Sequence, residues 1–145
     1  MSRSLVLEYA PERPEEAREG FHAELARATD PSDVHADMEG GVGGFVVVDA
    51  RSPEAYDRGH VPGAVNLPHR QIDATTTAEL SKEMVIVTYC DGIGCNGSTK
   101  AALKLSALGF RVKEMLGGLD WWIRDGYAVE AGTAQPQAAR ASCGC

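Results

Sequence analysis

Cys90 stands where the apolar run Met84-Val85-Ile86-Val87-Thr88-Tyr89 ends. The chain then passes through Asp91-Gly92-Ile93-Gly94-Cys95-Asn96-Gly97-Ser98 into Thr99-Lys100-Ala101-Ala102-Leu103-Lys104-Leu105. This reads as strand, glycine-rich loop and helix, with a thiol at the first turn. Gly92, Gly94 and Gly97 let loop N–H groups turn inward, and the first turn of the helix adds its positive end, so an anionic sulfur can be held there. Cys90 is therefore a candidate nucleophile. A free cysteine with a pKa of about 8.5 is only a few per cent thiolate at neutral pH, and half ionisation needs about 2 kcal/mol of help. A helix terminus supplies about 0.3–1 kcal/mol at an exposed site and up to about 2 in a partly buried one, which leaves the rest to the loop amides.

The other three cysteines are Cys95, Cys143 and Cys145. Cys95 reads three ways: a packed small residue, a resolving thiol for a disulfide with Cys90, or a second sulfur carrier. Cys143 and Cys145 form a C-x-C that can accept sulfur, form a disulfide or bind a soft metal, and it reads equally as a plain solvated terminus. A zinc site joining all four would need paired knuckles near C-x₂₋₄-C spacing, which neither pair supplies. No metal and no organic cofactor is expected. With no export signal read at the start of the chain, reduced thiols in a cytoplasmic protein are the expectation, rather than structural disulfides.

The elements that must position Cys90 follow from pattern. The chain has 145 residues, 43% of them hydrophobic, enough for one core. A formal charge of -7 argues against a nucleic-acid surface or an anionic membrane as partner. Pro14, Glu15, Glu16 and Glu19 precede Phe21, Leu25 and Ala28 at helical spacing, which predicts a helix over about 12–29. Asp30-Pro31 starts a second, short helix that Gly40-Gly41 ends. Phe45-Val46-Val47-Val48-Asp49 is an unbroken apolar run suited to a strand covered on both faces. Ser52-Pro53 opens another short helix, Ala64-Val65-Asn66-Leu67 is a brief strand, and one or two short helices are expected in 69–83. Val112-Lys113-Glu114-Met115-Leu116 is a further strand, and Gly117-Gly118 leads into a last helix with Trp121 and Trp122. Alternating strands and helices predict an α/β fold, a mainly parallel sheet with helices on both faces, in which ligands bind at the carboxyl ends of strands, where Asp49 and Cys90 fall.

Three blocks together resemble the rhodanese family of single-domain sulfurtransferases. They are Val48-Asp49-Ala50-Arg51 with Glu54-Ala55-Tyr56, then Gly59-His60-Val61-Pro62-Gly63-Ala64-Val65-Asn66-Leu67-Pro68, and then the strand–cysteine–loop–helix unit ending in Gly109-Phe110. Leu116-Gly117-Gly118-Leu119 with Trp121-Trp122 is similar to that family's last segment. The resemblance implies a rhodanese-like doubly wound domain over 20–130, after a lead-in of 1–19 that holds the start of a helix; 131–145 lacks any apolar period and is expected to be a flexible tail. It also implies a sulfurtransferase in which Cys90 takes a sulfane sulfur, holds it as a persulfide and hands it to a thiophilic acceptor. The main-chain amides of Asp91, Gly92, Ile93, Gly94, Cys95, Asn96 and Gly97 would cradle that sulfur. Asp49, Arg51 and Lys100 are accessory candidates, the first two reading also as a structural pair.

The loop is longer than the common rhodanese loop and has no basic residue between 91 and 97. A dianionic donor would meet N–H dipoles and Lys100 alone, so thiosulfate and a small-molecule or protein persulfide are equal donor candidates, with a thiol or cyanide as acceptor. Asn96 stands where the related phosphatases and arsenate reductases carry an arginine, and it cannot make their cationic clamp. Two alternatives remain: a thiol–disulfide redox protein using Cys90 and Cys95, and a non-catalytic rhodanese-like binding module.

Overall fold

The two β-branched runs become neighbouring central strands, and the rest of the chain is arranged around them. A computed structural model describes residues 2–132. In chain order the elements are α1 (Pro14–Arg27), β1 (Ala28–Thr29), α2 (Pro31–Glu39), β2 (Phe45–Asp49), α3 (Pro53–Arg58) and β3 (Val65–Asn66). A single 3₁₀ turn (His69–Gln71) follows, then β4 (Val85–Tyr89), α4 (Gly97–Ala107), β5 (Arg111–Met115) and α5 (Gly118–Arg124). The five strands form one sheet in the order β1-β5-β4-β2-β3, and every pairing is parallel. In the β2–β4 register Phe45 faces Val85 and Asp49 faces Tyr89, so both strands end level, with Cys90 one residue beyond.

Side-chain alternation sends the strands into two separate cores, as a sheet covered on both faces requires. Val47, Val87 and Tyr89 pack on one side with Val34, Met115, Leu119 and Trp122. Val48 and Ile86 pack on the other with Leu67, Ile72, Ala101, Leu105 and Phe110. Thus α2 and α5 cover one face, and α4 with the 3₁₀ turn covers the other.

The helix starts follow the cap-plus-proline chemistry. The Asp30 carboxylate accepts the Asp33 N–H at 2.8 Å ahead of α2, and the Ser52 hydroxyl accepts the Ala55 N–H at 3.3 Å ahead of α3. Several boundaries depart from the pattern. The first helix stops at Arg27, and Ala28–Thr29, expected inside it, is an edge strand paired with Glu114 and Met115. Asp30 precedes a proline, which disfavours helical backbone there, and β5 offers the free edge. Phe21 and Leu25 remain exposed, and α1 buries none of its residues. In 69–83 only the three-residue 3₁₀ turn forms, the remainder being turns tied by Asp73 and Thr76, each accepting the other's N–H. The fifth strand begins one residue earlier than expected, at Arg111, which pairs with Val85.

Glu130 closes the described chain by pairing with His60, and the Gly132 N–H donates to the Asp57 carbonyl at 2.7 Å. Most of the expected tail, with Cys143 and Cys145, lies outside the described residues. Among the described residues no helix is long and apolar enough to cross a membrane.

Candidate active site

Because β3 lies on one side of β2 and β4 on the other, the strand order reverses between β2 and β4, and a crevice opens at their carboxyl ends. Asp49 and Cys90 flank it. Asp49 is fully buried and held by an array of donors. Arg51 donates from Nη2 at 2.7 Å and from Nε at 3.0 Å, its main-chain N–H donates at 2.9 Å, and the Tyr89 hydroxyl donates at 2.5 Å. The remaining donors of Arg51 reach the Gly59 carbonyl at 2.6 Å and the Asp91 carboxylate at 3.3 Å. Burial works against the Arg51 charge, but the hydrogen bond and charge of Asp49 outweigh it and raise the guanidinium pKa further. Burial, then the Asp49 charge, pushes the Tyr89 phenol up as well, so it remains a donor. Asp49 and Arg51 therefore form one buried ion pair that reaches from the end of β2 to the first residue of the cysteine loop.

Cys90 itself is 2% exposed. Its sulfur is joined to that of Cys95 in a disulfide, with the α-carbons 6.3 Å apart. The loop folds back inside itself, since the Cys95 N–H donates to the Gly92 carbonyl at 3.1 Å. The Gly97 N–H, at the start of α4, lies 3.4 Å from the Cys95 sulfur. The expected ring of amides around the Cys90 sulfur is thus altered in this oxidised form: Gly97 meets Cys95, and the Cys95 amide is used in a turn. The first turn of α4 is fixed to the sheet by the Glu114 carboxylate, which accepts the Ser98 hydroxyl at 3.0 Å and the Thr99 hydroxyl at 2.7 Å.

The start of the loop is clamped from the opposite face. The Leu119 N–H donates to the Cys90 carbonyl at 3.0 Å, and the Asp120 N–H donates to the Asp91 carbonyl at 2.8 Å. This close approach requires Gly118, whose φ is +58° and where a Cβ would overlap the Cys90 carbonyl oxygen and lie 2.9 Å from the Gly92 nitrogen. The glycine pair was visible in the sequence, but its contact with Cys90 was not. Gly118→Ala is expected to lower stability by about 1–3 kcal/mol, read as a shift of the urea midpoint, because left-handed strain and the overlap act together.

A shallow cleft of about 350 Å³ lies over the loop, lined by His69, Arg70, Ile93, Gly94, Cys95, Asn96 and Lys100. Arg70 is the feature that local sequence reasoning missed. It lies in the 3₁₀ turn, which Lys104 secures by donating from Nζ to the His69 carbonyl at 2.8 Å. The cleft therefore carries two cations, Arg70 and Lys100, although the loop has none. A larger hollow of about 770 Å³ runs along α1 beside Glu15, Arg18 and His22, and no cysteine is among the described residues that line it. Among the described residues no cluster of three or more metal-ligand side chains occurs.

A wholly parallel α/β sheet with a cysteine loop at its switch point defines a cysteine-centred α/β domain. Residues 30–125 match the family model of the rhodanese-like domain, and the chain belongs to that family. It is 38% identical over 97 residues to a thiosulfate sulfurtransferase GlpE of Pseudomonas entomophila, covering 66% of this chain and 83% of that protein. It is 36% identical over 90 residues to the HTH-type transcriptional regulator Rv0324 of Mycobacterium tuberculosis, a match to 62% of this chain and 39% of that longer protein. Among solved structures, the BH2092 protein of Bacillus halodurans superposes with a TM-score of 0.80 at 45% identity, covering 82% of this chain and 87% of that one.

Proposed function

We propose that this protein is a sulfurtransferase that moves a sulfane sulfur from a donor to a thiophilic acceptor through a persulfide on Cys90. The observation that carries the reading is the position of Cys90, at the carboxyl end of β4, ahead of a glycine-bearing loop and the first turn of α4. The reaction is two successive displacements at sulfur. The reduced Cys90 thiolate attacks the sulfane sulfur and expels the donor's remainder, and an acceptor thiol or cyanide then takes the terminal sulfur and leaves the thiolate. Neither step asks for a metal or an organic cofactor. Asp49 and Arg51 are positioning residues, and the amides of 91–97 are assigned to the reduced, persulfide-bearing state. A reducing cytoplasmic compartment suits the cycle, because the thiolate must be regenerated. Intact mass measured after incubating the reduced Cys95→Ser protein, in which no neighbouring thiol can remove the sulfur, with thiosulfate or cysteine persulfide tests the reading. A gain of one sulfur atom that cyanide removes is expected, and no gain with either donor overturns it.

Arg70 and Lys100 favour an anionic donor such as thiosulfate, which the loop alone does not. Replacing both with alanine is expected to raise the KM for thiosulfate about threefold to tenfold, with the effect shrinking as salt rises. The KM for an uncharged persulfide donor should remain unchanged. An equal rise for both donors would remove the charge argument.

The Cys90–Cys95 disulfide favours a second reading, a thiol–disulfide redox protein that cycles without carrying sulfur. Peroxide would close such a pair, whereas a sulfane donor would leave the reduced protein unchanged.

A further inference from the structure

The oxidised loop is asymmetric. Cys90 is almost wholly buried, while Cys95 lines the cleft that holds Arg70 and Lys100, and the two sulfurs are in bonding contact. An acceptor arriving from solvent therefore meets Cys95 first. We propose that Cys95 is the internal acceptor of the reaction: it discharges the Cys90 persulfide, so that the product is hydrosulfide and the resting product state is the disulfide seen here. This rests on the Cys90 persulfide reading and adds to it a second catalytic cysteine and a second substrate class, a dithiol reductant.

The step balances without any oxidant. The Cys95 thiolate attacks Sγ of Cys90, the inner sulfur of the persulfide, because that is the atom to which it is bonded in the structure. The bond from this sulfur to the terminal sulfur breaks, and the electron pair leaves with hydrosulfide. The sulfane sulfur is reduced to sulfide while two thiol sulfurs are oxidised to a disulfide. Proximity decides the competition, since a well-placed intramolecular nucleophile acts at an effective concentration of about 10⁵ M or more, far above any dissolved thiol. To reset the site, one thiolate of an external dithiol attacks Sγ of Cys95, the sulfur at the cleft. Cys90 leaves as the thiolate, and the dithiol closes into its own disulfide. The direction of attack is chemically apt, because the sulfur assigned to the amide-lined site is the better leaving group.

The test uses the full chain with Cys143→Ser and Cys145→Ser, fully reduced, freed of reductant and kept anaerobic. Thiosulfate is added in one arm and cysteine persulfide, with a protein-free blank, in another. The same protein carrying Cys95→Ser or Cys95→Ala runs beside it. The parent is expected to release close to one sulfide per chain without added thiol. It should end two hydrogen atoms lighter than its reduced form, with a Cys90–Cys95 linkage in peptide mapping. The Cys95 variants should end one sulfur atom heavier and release at least about tenfold less sulfide until a dithiol is added. A parent that keeps its extra sulfur as stably as the variants, or that carries it on Cys95, overturns the internal discharge alone. Variants that take up no sulfur from either donor overturn the Cys90 persulfide itself, and the discharge with it.

Discussion

Sulfur transfer by the Cys90→Ser protein is expected to fall below detection while the domain remains folded. Serine keeps the main-chain carbonyl that accepts the Leu119 N–H, so the clamp between the loop and α5 survives. What disappears is the sulfur at the end of β4 on which the second sulfur is proposed to ride, and an alcohol with a far higher pKa cannot replace it. Placing a hydroxyl at a site that is 2% exposed costs about 1–3 kcal/mol under reducing conditions, where the parent also lacks the disulfide. That is a fraction of the roughly 5–15 kcal/mol that holds such a domain together. Steady-state assays with thiosulfate and a dithiol reductant, read as sulfide release, beside urea unfolding in excess reductant, give both halves of the result. A Cys90→Ser protein that still turns over would remove Cys90 from the mechanism.

Arg51→Met is expected to produce the largest loss of stability, about 3–5 kcal/mol. The methionine fills much of the volume but leaves the fully buried Asp49 carboxylate without its cationic partner, and it also removes the hydrogen bonds of Arg51 to the Gly59 carbonyl and to the Asp91 carboxylate. The Tyr89 hydroxyl and the main-chain N–H of residue 51 still donate to Asp49, yet neither neutralises its charge. Adding Asp49→Asn removes the uncompensated charge, so the double variant should be more stable than the two single losses added together. Urea unfolding of the two single variants and the double variant measures this coupling. A loss below about 1 kcal/mol for Arg51→Met would show that the pair contributes little beyond its hydrogen bonds.

The features written in local chemistry were legible in the sequence. The apolar runs at Phe45–Asp49 and Val85–Tyr89 are strands, and Asp30-Pro31 and Ser52-Pro53 start helices, because run length, capping side chains and proline act within a few residues. The features made by distant partners were not. Ala28–Thr29 has no strand signature of its own and is recruited by the edge of β5. Phe21 and Leu25 have the spacing of a packed face but stay exposed among the described residues. Arg70 enters the cleft from a turn secured by Lys104, and Gly118 matters through the backbone of residues 90–92. The candidate nucleophile could be named from the sequence alone, whereas the company it keeps could not. The same holds for Cys95, whose spacing leaves three roles open and does not show that its sulfur meets that of Cys90.

The two hydrogen bonds from α5 to the carbonyls of Cys90 and Asp91 tie the root of the cysteine loop to that helix, whereas the turn that carries Cys95 is closed within the loop itself. Cys90 belongs to the root, riveted between β4 and α5, while Cys95 lies beyond it, near the exposed Ile93. Opening the disulfide therefore leaves in place the two hydrogen bonds that hold Cys90 to α5 and both cores behind them. The thiol that chemistry needs stationary stays in register with the sheet.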